Sequence, residues 1–186
     1  HVADGKAARY HGGGFGATLF WRDKTVRIRS GFGLVLLCVA WALPAIALEQ
    51  HPIFTSGEDG YHTYRIPALV VTKAGTVLAF CEGRKGSRSD SGNIDLLLKR
   101  SEDNGNTWSE AQVIRDDAGN TCGNPAPVVD RETGTVWLLM TWNRGDDHER
   151  EIIAGKSEDT RRVFVTHSKD DGKTWATAKE ITGDVK

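Results

Sequence analysis

An arginine and an aspartate stand in surroundings that suit chemistry on an anionic substrate. Arg65 opens the apolar stretch YRIPALVV, where a cation is costly unless it meets an anion. Asp90 lies among Ser89, Ser91 and Gly92, in a polar segment where an exposed carboxyl group could protonate a leaving oxygen. The alternatives are structural: a salt bridge for Arg65, and a turn for Asp90, since aspartate beside serine and glycine commonly forms turns.

The segment CEGRKGSRSDSGNID, which carries this aspartate, is basic. Arg84, Lys85 and Arg88 either form a solvated loop or add positive potential for an anionic substrate. In a second copy of the surrounding pattern, described next, Gly123 stands at the position of Arg65. The architecture therefore does not itself require a cation there, which favours a functional role for Arg65.

The elements that must position these residues occur twice in the chain. SEDNGNTW at 101–108 returns as SKDDGKTW at 168–175, and IPALVVTKAGTVLAF at 66–80 aligns with NPAPVVDRETGTVWLL at 124–139. Each copy is predicted to hold two strands joined by a glycine turn, then a polar loop and a third strand before the eight-residue phrase. Four short antiparallel strands that repeat at about sixty residues are typical of a β-propeller blade.

The eight-residue phrase is predicted to lock a turn. Asp103 can accept hydrogen bonds from its own turn, Gly105 can adopt a positive φ, and Trp108 can pack beneath. A calcium loop of the EF-hand kind is excluded, because its twelfth position, a bidentate glutamate, would be Ile114 in one copy and Ile181 in the other.

Pro67 and Pro125 stand near the start of the first strand in each copy. Proline is tolerated in a sheet where its missing N–H faces no partner, so these strands are predicted to be inner edge strands that line the channel of the propeller. The connection between the second and third strands returns to the same end, because strands of one blade run antiparallel. Arg65 and Asp90 are therefore predicted to be neighbours.

Composition agrees with a β-protein, since the 186 residues include 21 glycines and six tryptophans. The 24 basic and 25 acidic residues nearly balance, which gives no indication of a nucleic-acid partner. Cys81 and Cys122 either pair or are small buried thiols, and the sequence leaves both alternatives open.

The beginning of the chain differs from the rest. Residues 26–47 have the layout of a secretory signal peptide, with arginines before an apolar run that ends near Pro44 and a small-residue cleavage site after Ala47. The competing interpretation is a membrane anchor, since residues 31–48 carry no charge. Residues 1–25 lack an initiating Met and apolar periodicity, and are interpreted as an upstream or non-native extension.

The motifs YRIP, EGR and SDSGNIDL, followed by two phrases of the form Ser-x-Asp-x-Gly-x-Thr-Trp, resemble in this order the bacterial exo-α-sialidases (neuraminidases) with Asp-box repeats. The resemblance runs from about Gly57 to Trp175. A single Asp box is found in many propellers, whereas the ordered combination is specific. The resemblance implies an all-β, six-bladed propeller, with residues 48–186 forming its N-terminal part and about the first two four-stranded blades.

For function, the resemblance implies a glycoside hydrolase that releases terminal sialic acids with retention from glycans, glycoproteins or gangliosides. Arg65 matches the first of three arginines that clamp the substrate carboxylate, Arg84 matches a supporting arginine, and Asp90 matches the general acid/base. The nucleophile of that family is a tyrosine activated by a glutamate, and it is expected beyond Lys186. A fragment of residues 48–186 alone is therefore predicted to be inactive.

The loop at 142–162 is predicted to open on the same face as the site, where Trp142, Asn143 or Arg144 could contact the sugar or its aglycone, and Asn124 is a further candidate for the rim. The charges of this loop are expected to form a solvated surface. The acidic cluster at 146–149 lacks a spaced partner, so no metal is assigned, and no cofactor is expected. The protein is predicted to be secreted or periplasmic, without a stable membrane span after cleavage. Alternative functions are a non-catalytic glycan- or protein-binding Asp-box propeller and a trans-sialidase.

Overall fold

The computed structural model describes residues 50–186; the predicted extension at 1–25 and signal peptide at 26–47 lie outside the described residues. The strands are β1 (Thr63–Val71), β2 (Val77–Arg84), β3 (Ile94–Ser101), β4 (Gln112–Arg115), β5 (Thr121–Val129), β6 (Val136–Asn143), β7 (Arg162–Ser168) and β8 (Lys179–Glu180). The helices are α1 (Glu149–Ile153) and α2 (Thr182–Val185). Within the described part of the chain, no helix is long and apolar enough to cross a membrane.

The strands form two units in chain order. Strands β1 to β4 pair antiparallel in sequence, and strands β5 to β8 do the same. A single parallel bridge between Ile94 and Thr121 joins the units, and the inner strands β1 and β5 are in contact. The predicted pair of four-stranded blades is confirmed.

The hydrophobic core lies where the two blades meet. Its buried side chains come from both blades: Leu78, Phe80, Leu96, Leu98, Cys122, Val136, Leu138 and Met140. Trp175, from the second copy of the phrase, packs edge-on against Phe80 with ring centroids 5.8 Å apart. This packing holds the two blades against each other.

A β-bulge interrupts the inner strand β1 at the end that carries the arginine. Arg65 pairs with Glu82 and Ala68 pairs with Phe80, so two residues of β1 oppose one residue of β2. Ile66, within the bulge, has a φ of 55°, which β-branched residues rarely adopt. Strict alternation along β1 predicts that Arg65 faces away from Ala68, and this is wrong. The partners of Arg65 and Ala68 in β2 are two residues apart and therefore share one face of the sheet. Arg65 and Ala68 consequently lie on that same face.

The second blade repeats the bulge. The register of β5 shifts between Gly123 and Ala126, and Asn124 has a φ of 52°. In both blades the residue with positive φ stands directly before a proline, which has no N–H to contribute to the ladder. Bulges re-aim side chains beside functional sites, and here both are at the same end of the inner strands.

Both copies of the eight-residue phrase form the predicted turn lock. The Asp103 carboxylate accepts hydrogen bonds from the backbone N–H of Thr107 at 2.8 Å, from its hydroxyl at 2.6 Å and from the Ser101 hydroxyl at 2.8 Å. Gly105 has a φ of 92°, and its carbonyl accepts the indole N–H of Trp108 at 3.0 Å. The second copy makes the corresponding turn contacts with Ser168, Asp170, Gly172 and Thr174.

Acid is expected to weaken these turns. Hydrogen bonds from Thr107 lower the pKa of Asp103 from 3.8 to about 2, and those from Thr174 do the same for Asp170. Because the pKa is lower in the folded chain than in the unfolded chain, this stabilisation is present above about pH 4 and is lost as the pH falls towards about 2. The urea midpoint of the full-length protein should fall across this window, and should fall less when both aspartates are replaced by asparagine. An unchanged acid dependence in that double variant would contradict the assignment.

Among the described residues 50–186, Cys81 and Cys122 are buried free thiols. Burial raises the pKa of Cys81 to about 12 and that of Cys122 to about 11. Since the thiolate is the reactive form, both side chains act as small apolar groups of the core.

Candidate active site

Arg65 and Asp90 meet at the end of inner strand β1. Arg65 Nη1 donates a hydrogen bond to Asp90 Oδ1 at 2.8 Å. Asp90 lies in the connection between β2 and β3, which returns to this end because the two strands are antiparallel. The side chains are 45% and 69% exposed, so a ligand can reach both. The predicted proximity of the guanidinium and carboxyl groups is confirmed.

A buried ion pair lies beneath this contact. The side chains of Arg84 and Glu82 are 3% and 4% exposed, and Arg84 Nη2 donates to Glu82 Oε2 at 2.6 Å. Arg84 Nη1 lies 2.8 Å from Asp90 Oδ1 and donates to the carbonyls of Arg88 and Ser89 at 2.7 and 2.8 Å. Arg84 therefore holds the connection that carries Asp90 and brings a second positive charge to its carboxylate.

Residues 85–93 are called the acid loop from here on, because they carry Asp90. This loop is anchored at its base. The Lys85 N–H donates to the Asn93 carbonyl at 3.1 Å, and Lys85 Nζ lies 2.9 Å from Asp95 Oδ2. The same carboxylate oxygen accepts the Tyr61 hydroxyl at 2.6 Å. The hydrogen bond to Asp95 raises the pKa of Lys85, so its ammonium group stays charged. Because Asp95 is buried, the exposed loop rises from a fixed base.

The two tyrosines near β1 pack rather than present a nucleophile. Burial raises the pKa of Tyr61 well above its ordinary value, and its hydroxyl is committed to Asp95. Burial also raises the pKa of Tyr64 to about 12, and its hydroxyl donates to the Glu58 carbonyl at 2.9 Å. Their ring centroids are 5.6 Å apart. Both side chains therefore serve the packing of the first blade.

Residues of both blades, with Asp90 of the acid loop, line a polar cavity of about 150 Å³. Its lining consists of Ile66, Glu82, Arg84, Asp90, Thr121, Asn124, Asn143, Glu149 and Arg161. Asn124, a predicted rim residue, donates its N–H to Glu82 Oε1 at 3.0 Å and its amide to Thr141 Oγ1 at 2.8 Å. The cavity thus combines guanidinium groups, carboxylates and amides, which suits a polar, charged ligand.

The structure does not bring Trp142 and Arg144 to this cavity. Successive side chains of a strand point to opposite faces, so Asn143 faces the cavity while Trp142 turns away and donates its indole N–H to Asp117 Oδ2 at 2.6 Å. Arg144 forms an ion pair with Glu158. The rim prediction is therefore corrected for these two residues.

Glu82, Glu149 and Arg161 also line the cavity and are not predicted as site residues from the sequence. Glu82 is two residues before Arg84 in the EGR motif, and the period of two in a strand puts both on one face, which was a usable signal. Glu149 begins α1 and Arg161 directly precedes β7. Arg161 Nη1 lies 3.5 Å from Glu149 Oε1. Nothing in their local sequence places them at this site.

Removal of the buried carboxylate is expected to destabilise the protein. Glu82→Ala removes the buried partner of the Arg84 guanidinium and leaves it only the exposed carboxylate of Asp90, and breaking a buried pair costs about 3–5 kcal/mol. Urea unfolding of the full-length protein measures the loss. The control is Glu102→Ala, since Glu102 pairs with Arg100 but is 68% exposed, and it should change the free energy of unfolding by less than about 1 kcal/mol. A loss for Glu82→Ala as small as the control's would contradict the buried-pair interpretation.

Two Asp-box blades with an arginine–carboxylate site at the inner strand ends define the class of a β-propeller protein. A family model described as a BNR repeat-like domain matches residues 75–185. The chain belongs to this family, and the curated relatives that it matches include sialidases.

The similarity extends over most of the chain but over less than half of each relative. An exo-alpha-sialidase of Aspergillus fumigatus is 33% identical over 182 residues, which cover 80% of this chain and 45% of that protein. A sialidase of Micromonospora viridifaciens is 33% identical over 190 residues, or 88% of this chain and 28% of that protein. The solved Hadza microbial sialidase Hz136 superposes with a TM-score of 0.63 and 32% identity, over 70% of this chain and 28% of that chain. The fold is therefore part of a sialidase β-propeller, as predicted.

Proposed function

We propose that the full-length protein is an exo-α-sialidase that releases terminal sialic acids from sialylated glycans, glycoproteins or gangliosides. The names of its relatives support the hydrolase class. The observation that carries the proposal is the meeting of Arg65 with Asp90 above the buried Arg84. A sugar that bears a carboxylate and leaves through oxygen requires a cation for the first group and an acid for the second.

Arg65 is the residue that binds the substrate carboxylate in this proposal. A planar guanidinium makes two parallel charge-assisted hydrogen bonds to a carboxylate. In the structure this guanidinium holds the carboxylate of Asp90, an anion of the same kind. The substrate carboxylate displaces Asp90 from Arg65, and the released side chain turns to the glycosidic oxygen.

Asp90, which takes up a proton from solvent once it has left Arg65, then acts as the general acid. The bond between the anomeric carbon and the leaving oxygen breaks, and the proton of Asp90 passes to that oxygen. A tyrosine oxygen bonds to the anomeric carbon as its proton passes to the glutamate that activates it. This suits a centre that already bears a carboxylate, because a neutral nucleophile is not repelled by it. Water then attacks the anomeric carbon and gives its proton to Asp90, while the glutamate returns its proton to the departing tyrosine oxygen, so the configuration is retained. Tyr61 and Tyr64 are not assigned this role, because their hydroxyls are already hydrogen-bonded within the blade.

The proposal includes export of the protein, to the periplasm or the medium, because residues 26–47 have the signal-peptide layout described above. Sialylated glycoconjugates as substrates agree with an extracellular site of action.

Proton NMR of sialyllactose turnover by the full-length protein tests this proposal. The α-anomer of free sialic acid should form first and then mutarotate. Initial release of the β-anomer would contradict retention. Binding of sialyllactose without release would instead support a non-catalytic propeller, and transfer of the sialyl group to added galactosides would support a trans-sialidase.

A further inference from the structure

The second blade contacts the acid loop directly beside Asp90. Ser91 Oγ and His148 Nδ1 are 2.9 Å apart, although the residues are separated by 57 positions in the chain. Ser91 also lies 3.2 Å from Ser89 through their hydroxyl oxygens. Asp90 is therefore flanked by two linked serines, and one of them is tied to the loop that precedes α1.

The next residues of the acid loop are fixed on the second blade as well. Thr121 Oγ1 donates to the Gly92 carbonyl at 2.9 Å. The facing loop of the second blade is itself fixed, because the Gly145 N–H donates to Asn120 Oδ1 at 3.1 Å. A Cβ atom at Gly145 would lie 2.0 Å from the Gly119 carbonyl oxygen and 3.2 Å from the Gly92 Cα. The two loops thus approach each other with no space for a side chain between them.

His148 is held in place by its own loop. Its N–H donates to Glu151 Oε2 at 3.3 Å, and its carbonyl accepts the N–H of Ile152 at 3.0 Å. The preceding Asp147 is buried, and its carboxylate accepts the backbone N–H groups of residues 158 and 159, both at 3.1 Å. The expected solvated surface is therefore wrong at Asp147, because this carboxylate closes the loop. The imidazole presents a preorganised partner to the acid loop.

We propose that His148 is a positioning residue for Asp90, an inference that rests on the proposed function. By holding Ser91, the imidazole sets the direction of the Asp90 carboxyl group after the substrate has displaced it from Arg65. Asp90 is exposed, so without this support its side chain has room to take other orientations. A misplacement of about 1 Å can cost about 100-fold in rate.

The test uses two substrates of the full-length protein. Sialyllactose has a sugar leaving group that requires a proton, whereas the nitrophenolate of p-nitrophenyl sialoside leaves without one. His148→Ala is expected to lower kcat for sialyllactose by about 10- to 100-fold, with KM within about twofold. The loss in kcat for the nitrophenyl substrate should be below about threefold, because general acid catalysis contributes little there. His148→Asn places an amide near the position of Nδ1, so this variant should keep most of the activity that His148→Ala loses.

Ser91→Ala should reproduce the selective loss, and the double variant should lose no more than either single variant, since both remove one contact. Ser91→Ala also decides the question should His148→Ala fail to fold. An equal loss on both substrates, or no loss, would overturn the inference. If Asp90→Ala keeps its activity on sialyllactose, the proposed function itself is contradicted. If Asp90→Ala shows the selective loss but His148→Ala and Ser91→Ala do not, only the positioning role is contradicted.

Discussion

Asp90→Ala is expected to lower kcat/KM of the full-length protein for sialyllactose by about 100- to 10,000-fold, the range that general acid catalysis contributes. The physical reason is the leaving group, because a sugar alkoxide is a poor one unless it is protonated as the bond breaks. The p-nitrophenyl sialoside should lose far less in the same variant. Steady-state kinetics on the two substrates measures the difference.

The matched control is Asp146→Asn, which removes an exposed carboxylate from the neighbouring loop of the second blade. It should leave both rates within about twofold, as surface substitutions usually do. Circular dichroism and the urea midpoint should show that Asp90→Ala is folded, since the side chain is exposed. Full turnover of sialyllactose by folded Asp90→Ala would place the acid elsewhere.

Arg65→Ala is expected to lower kcat/KM by about 100- to 10,000-fold on both substrates. The variant loses two charge-assisted hydrogen bonds to the substrate carboxylate, each worth about 1.5–3 kcal/mol. Unlike the loss in Asp90→Ala, this one should not depend on the leaving group, because both substrates carry the same carboxylate.

Arg65→Lys separates charge from geometry, since lysine keeps the charge but lacks the planar fork, and it should recover part of the loss. Arg131→Ala is the control, because Arg131 is an exposed arginine in the turn between β5 and β6, at the other end of the strands. If kcat/KM of Arg65→Ala equals that of the unmodified protein, the substrate carboxylate binds elsewhere.

The fold was predictable because its signals are local and occur twice. The phrase at 101–108 and its copy at 168–175 mark where each third strand ends, and the glycine turns mark the first hairpin of each blade. Antiparallel pairing then brings Arg65 to Asp90, because the connection after β2 must return to the start of β1.

The other features of the site depend on contacts between blades, which no local pattern encodes. Arg161 and His148 reach the cavity and the acid loop because the middle strands of the two blades pack against each other. The sequence does not predict the bulge at Ile66, because a β-branched residue rarely adopts the left-handed conformation that the bulge requires. Its only sequence signal is that a proline follows the bulge residue in both copies, at Pro67 and Pro125.

A crystal structure of the full-length Asp90→Asn variant with sialyllactose tests most directly whether one anion-holding site unites the arginine and the acid. We expect the substrate carboxylate to lie within about 2.7–3.2 Å of the Arg65 guanidinium nitrogens, with the side-chain amide of residue 90 within hydrogen-bond reach of the glycosidic oxygen. A carboxylate bound away from Arg65, or a glycosidic oxygen beyond the reach of residue 90, would contradict the proposed site.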